Sequence, residues 1–327
     1  MFTEGLCCIN PFVEIKDYAL AMNPSPKVRY RVTNWPEYNR SLCARASLTI
    51  WFDPQMTWYA PQTGHRGRHP TFSNAAIQCC LTLGNLFQLP LRQTTGLVSS
   101  LLQMLGLKYA CPDFSTLSRR QRTLSLPPLG RLRGQPMRLL VDSTGIKECG
   151  PGEWLRQQHR DKRRRSWIKV HLAVDAQTMT IEAMLTTAGN QMDAAQLPGL
   201  LKQVPGPVGQ LYGDGAYDTH ATYRLLKRKQ IKPVIRVRLN AVIHEDEGLS
   251  VRNEAIRQVQ QLSLKGWQQS SGYHLRSLVE SKMRCLKQLG ERVSARVFES
   301  QQVQMHLRGL ILNQFMQLGR CHTVRVS

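Results

Sequence analysis

The chain has 327 residues, with 44 Lys and Arg against 22 Asp and Glu and a formal net charge of +22. An excess of that size calls for a polyanionic partner, and nucleic acid is the natural candidate. No stretch reaches the roughly 18 apolar residues of a spanning helix, and nine cysteines with no CxxC pair indicate neither a disulfide framework nor a zinc site.

Residues 1–27 lack a charged n-region and a clean apolar h-region, so they do not read as a signal peptide. They are expected to form a disordered N-terminal extension, and residues 1–21, ahead of Met22, read as an upstream extension of the frame. An N-terminal region follows over 28–125. It opens on the aromatic stretch NWPEYN, Asn34 to Asn39, and continues through ASLTIWF, which alternates as a strand, with turns at Pro54 and Pro61. His65 and His69 have metal-ligand spacing but no partner ligands, and read as loop residues. From Ser73 the period turns helical. One helix capped by Ser73 ends near Pro90, a second runs from about Arg92 to Leu105, and a short third starts at Asp113 and carries Arg119, Arg120 and Arg122. Spacing alone fits a helix-turn-helix DNA reader and a plain helical subdomain with a solvated Arg face equally well.

Residues 126–136, rich in Pro, Gly and Arg, read as a linker. Residues 137–318 then carry an α/β pattern. A short apolar strand ends at Asp142, and a loop with the run Lys162, Arg163, Arg164 and Arg165 reads as a phosphate contact. A hairpin turns over 175–178, and a helix begins near Asp193, whose carboxylate reads as a cap. A strand ends at Asp214 between Gly213 and Gly215, where the absence of side chains lets backbone and ligand approach closely. A helix over about 219–229, the strand KPVIRVRL and a polar loop follow. Tyr273, Arg276, Glu280 and Lys287 then fall on one face of an amphipathic helix. A last helix covers about 301–317, and the tail 319–327 is expected to be loose. Two strand-end aspartates and one helical glutamate make three hard oxygen ligands, a set suited to Mg²⁺ or Mn²⁺ in phosphodiester chemistry.

These residues resemble the DDE transposases of bacterial insertion sequences. The family's helical motif of Tyr, two residues, Arg, three residues, Glu, six residues and Lys stands as Tyr273, Arg276, Glu280 and Lys287, which resembles the insertion-sequence family five type. DSTG at Asp142, DGAYD at Asp214, NWPEYN and GEW at Gly152 to Trp154 are also similar, and the resemblance covers about residues 28–318. It implies a ribonuclease H-like catalytic domain behind an N-terminal helical, helix-turn-helix-like region that binds the element's ends, with Arg119 and Arg120 on the DNA. It implies that Asp142, Asp214 and Glu280 hold Mg²⁺ or Mn²⁺ and catalyse cleavage at the terminal inverted repeats and strand transfer into target DNA. Arg276 and Lys287 would hold phosphates and Tyr273 would contact DNA at the cleavage site, while Trp154 would stack on an extruded base or sit in a core. A homo-oligomer synapsing two ends in the cytoplasm, associated with the nucleoid, is expected. The rivals are a metal-dependent nuclease of the same fold and a catalytically inactive DNA-binding regulator.

Overall fold

The computed structural model describes residues 29–326 apart from 63, 65, 66, 68 and 150–166. The N-terminal extension, His65, Trp154 and the run Lys162, Arg163, Arg164 and Arg165 therefore lie outside the described residues. Strand β1 (Arg29–Val32) leads into α1 (Trp35–Arg45), α2 (Leu48–Trp51), α3 (Asn74–Leu86), α4 (Leu91–Met104) and α5 (Phe114–Gln121). Strands β2 (Met137–Lys147), β3 (Trp167–Asp175) and β4 (Ile181–Ala188) follow, then α6 (Asp193–Gln203), β5 (Val208–Gly213), α7 (His220–Arg228) and β6 (Lys232–Ile235). The chain closes with α8 (Ser250–Ser270), α9 (Ser277–Gln288), α10 (Phe298–Leu318) and β7 (Thr323–Val326).

The central sheet has the order β4-β3-β2-β5-β6, antiparallel from β4 through β2 and parallel from β2 through β6. Successive side chains point to opposite faces, and β3 and β4 are buried almost continuously, so both faces are covered. Leu140, Ile146, Val170 and Leu172 point into one core with Val279, Met283 and Leu286 of α9 and Ile311 of α10. Leu139, Val141 and Ala173 point into the other, against Leu197 and Leu200 of α6 and Leu226 of α7. A mixed five-stranded sheet between helical layers, with its first and fourth strands adjacent, fits a ribonuclease H-like domain.

The three helices α3, α4 and α5 form a third core around Ile77, Leu83, Val98, Leu102 and Leu117. Their starts match the sequence signals: Ser73 Oγ accepts from Ala76 N and Asp113 accepts from Ser115 N and Thr116 N. Leu307 of α10 is buried in the same core, so the N-terminal helices and the sheet domain share one helix as a wall. Residues 126–136 contain no helix or strand, yet Leu129 is buried in the sheet core and Arg133 pairs with Asp175 at 2.9 Å and Glu182 at 3.2 Å. The segment is anchored at Leu129 and Arg133, while Leu132 between them is 81% exposed.

Several expectations change. ASLTIWF is not a strand but contains the helical turn α2. The consecutive residues Trp51 and Phe52 both pack on the core of the N-terminal helices, whereas consecutive residues of a strand point to opposite faces. The segment between β6 and Glu280 holds more than a polar loop: α8 runs through it, broken at Ser263 with φ 66°. The tail is not loose, because β7 pairs antiparallel with β1, Arg29 opposite Val326 through Val32 opposite Thr323. Asn34 reinforces the junction, Nδ2 donating to Arg320 O at 2.9 Å and Oδ1 accepting from His322 N at 2.7 Å.

Candidate active site

Asp142 does not end its strand, as the apolar run suggested. It sits midway along β2, because β2 stays paired with β3 from Leu139 opposite Asp175 out to Lys147 opposite Trp167. The parallel pairing with β5 stops at Leu140 opposite Tyr212, one turn of the pleat short of Asp142. Asp214 follows β5 directly. The two aspartates thus stand on neighbouring strands at the edge where one outruns the other. Local chemistry holds each one: Asp142 Oδ1 accepts from its neighbour Ser143 N at 2.8 Å, and Asp214 Oδ1 accepts from Ala216 N at 2.9 Å. Gly213 is required between strand and turn, since a Cβ there would come within 3.0 Å of the Tyr217 ring.

The third carboxylate arrives on α9. The helix is preceded by a 3-10 turn over Tyr273–Arg276, entered through Gly272 in the left-handed region at φ 69°. This turn corrects the single-face reading of the motif. Tyr273 is only 8 % exposed and packs on Trp267, whereas Glu280 and Lys287 are exposed. A 3-10 turn advances faster per residue than an α-helix and rotates Tyr273 inward. Arg276 then spans the gap between helix and sheet: Nη1 donates to Asp142 Oδ2 at 3.0 Å and Nη2 to Glu280 Oε1 at 2.9 Å.

Burial pushes the Asp142 carboxyl above the usual range, and the nearby charges of Asp214 and Glu280 add to it. The Ser143 amide and Arg276 oppose the rise. Asp142 therefore feels both of its sequence-predicted companions. Among the described residues no three acidic, His or Cys side chains are gathered tightly enough to enclose an ion, since Arg276 stands between Asp142 and Glu280. The donor set nevertheless fits a hard divalent cation in kind, being three carboxylates.

Asp193 is not a cap. Met192 holds the cap position of α6 without a side-chain cap bond, and the Asp193 carboxylate turns to β3, 2.9 Å from Lys169 Nζ and 3.3 Å from His171 Nδ1. Burial would raise its pKa, but His171, Ser143 and Lys169 hold it well below the usual range. The sequence reading also missed the clamp behind Asp214. Buried Asp218 accepts from Arg252 Nε at 2.7 Å and from Arg238 N at 2.9 Å, tying the loop after β5 to α8. Asp218 was visible in DGAYD, but Arg252 lies far along the chain in a helix that carried no motif.

The remaining basic candidates divide. Arg119 is exposed on α5 and Lys287 is exposed near the end of α9. Arg120 donates to Phe72 O at 2.9 Å and to Asn74 Oδ1 at 2.6 Å, so its guanidinium is engaged at the start of α3. No helix among the described residues is long and apolar enough to cross a membrane.

A family model described as "Transposase DDE domain" matches residues 133–314, and a second model of the same description matches residues 43–151. Among solved structures, the chain is similar to "Crystal structure of a pre-cleavage Mos1 transpososome" at 11% identity and a TM-score of 0.21, over 79% of this chain and 82% of that one. Because the match to residues 133–314 spans more than half of the chain and runs through all three acidic positions, the chain belongs to the DDE transposases.

Proposed function

We propose that Asp142, Asp214 and Glu280 are the catalytic carboxylates of a DNA strand-cleavage and strand-transfer site, serving an insertion sequence of the family five type. The observation that supports this reading is the Arg276 bridge: it joins Asp142 of β2 to Glu280 of α9, on the sheet edge where Asp214 follows the adjacent strand β5. Their chemistry is that of ligands for Mg²⁺ or Mn²⁺. When bound, such a cation supplies Lewis acidity that activates the attacking oxygen and stabilises the leaving one. The protein supplies position. Paired β2 and the capped turn after β5 hold Asp142 and Asp214 rigidly, while α9 brings Glu280 from the solvent side.

DNA would approach over the exposed side of α9. Lys287 offers a point charge to phosphate and Arg276 a planar fork, and Lys162, Arg163, Arg164 and Arg165 add phosphate contacts from the loop after β2. Tyr273, buried by its ring, would act through its hydroxyl beside Arg276, and Trp154 would stack on a base. The N-terminal helices would bind the terminal inverted repeats through Arg119, with Arg120 contributing where its bonds to α3 allow. Two copies synapsing the element ends in the cytoplasm, on the nucleoid, complete the reading.

The test measures binding and cleavage on one labelled element-end duplex. Asp142→Asn, Asp214→Asn and Glu280→Gln should each abolish cleavage in Mg²⁺ while gel-shift affinity stays near wild type, because most phosphate contacts lie elsewhere. Normal cleavage by Glu280→Gln would remove α9 from the active site. A strand-transfer assay on the wild type separates a transposase from a nuclease of the same fold.

A further inference from the structure

The guanidinium of Arg276 lies between Asp142 and Glu280. Its two terminal nitrogens bond to two different carboxylates on two different elements, at 3.0 Å to Asp142 of β2 and 2.9 Å to Glu280 of α9. A planar fork with fixed donor directions can do this, whereas a single ammonium cannot hold both in the same geometry. The Arg276 and Asp142 side chains are 18% and 15% exposed, and that of Glu280 is 49% exposed, so one end of the bridge is anchored and the other faces solvent. Arg276 also lies at the last position of the 3-10 turn that enters α9, after left-handed Gly272, with the Tyr273 hydroxyl close to it.

Resting on the reading of Asp142, Asp214 and Glu280 as catalytic carboxylates, we propose that Arg276 is a positioning residue: it draws Asp142 and Glu280 together in the metal-free protein and is displaced when a divalent cation takes their oxygens. Two arguments carry it. Without a cation, α9 would present Glu280 to a sheet edge that already holds Asp142 and Asp214, and like charges brought together repel. With a divalent ion on Asp142 and Glu280, the oxygens bonded to Arg276 are in use and the two cations repel, so the guanidinium must leave. The displaced side chain stays tethered beside the site, next to the Tyr273 hydroxyl, where a DNA phosphate becomes the anion available to it. Metal loading and phosphate capture are thereby linked through one side chain.

The experiment is a Mn²⁺ titration followed by electron paramagnetic resonance of the free ion, on full-length wild type, Arg276→Gln, Arg276→Lys and Glu280→Gln, with thermal melting in EDTA. Arg276→Gln should bind Mn²⁺ roughly tenfold more tightly than wild type, because no ion pair has to break. It should melt lower than wild type in EDTA, and the difference should close as Mn²⁺ is added. Arg276→Lys, keeping the charge and losing the fork, should fall between the two. Equal or weaker Mn²⁺ binding by Arg276→Gln overturns the proposal while the site reading stands; if that variant does not fold, affinity of Arg276→Lys equal to wild type overturns it instead. Mn²⁺ binding unchanged in Glu280→Gln, or absent from wild type, removes the site reading and the proposal with it.

Discussion

At the scale of single residues, the largest local costs are in buried charge. Asp218 and Arg252 are both buried and bonded to each other at 2.7 Å, and Arg252 Nη1 also donates to Val242 O at 2.8 Å. Removing one partner leaves the other uncompensated. Asp218→Ala or Arg252→Ala should each cost about 3–5 kcal/mol in urea unfolding, and the double variant should cost clearly less than the sum. Lys282 is a different case, 4% exposed with its pKa lowered to about 8 by burial. The unfolded chain keeps this ammonium protonated up to its ordinary value of 10.5, so between about pH 8 and that value the unfolded state binds the extra proton and this group's contribution to stability rises with pH. Below pH 8 the penalty is fully present. Lys282→Met should therefore be more stable than wild type by about 3 kcal/mol at pH 7, and the gap should shrink toward pH 10; a gap independent of pH would show that the residue acts through packing alone.

At the scale of elements, the site depends on where strands stop. β5 ends at Gly213, where the chain turns at once through Asp214, and a side chain at Gly213 would meet the Tyr217 ring. Gly213→Ala forces that ring or the strand end to move by a few tenths of an ångström, and Asp214 moves with it. Cleavage should fall on the order of tenfold to a hundredfold, with element-end binding unchanged and far-ultraviolet dichroism retained. The parallel β2–β5 pair converts this end into a position relative to Asp142. The loop after α9 locks the other side: Lys147 N donates to Glu291 O and Val293 N to Lys147 O, while buried Arg308 donates to Gly290 O and Arg292 O. The far end of β2 is thus bonded to the loop that follows α9, which couples the strand with Asp142 to the helix with Glu280.

At the scale of the whole molecule, the charge of +22 is the dominant fact. Binding to DNA should be strongly electrostatic, with log affinity falling linearly in log salt at about 0.9 per phosphate neutralised. A filter-binding series across salt concentrations checks it, and a flat response would sink the DNA reading. The fold also joins its two ends. β1 and β7 make a two-stranded ribbon, a unit marginal on its own, and α10 serves both the helical core and the sheet core. A polyanion docking on the N-terminal helices therefore loads an element that also packs against the catalytic sheet.

The sequence by itself determined the family and most of the local elements. Ser73 and Asp113 announced their helices because capping is a contact between near neighbours, and two short apolar runs on either side of the turn at 175–178 marked the β3–β4 hairpin. The carboxylates Asp142, Asp214 and Glu280 could be singled out by motif. What sequence could not decide was where elements end and what they touch. β2 runs past Asp142 because β3 continues to pair with it, a property of the partner and not of DSTG. Tyr273 faces inward because a 3-10 turn precedes α9, and the tail is a strand because Arg29–Val32 lies within reach. Asp193 turned from an expected cap to an ion pair because Lys169 waited on a neighbouring strand. Each of these outcomes rests on contacts between residues far apart in the chain, whose free energy exists only once the fold has brought them together.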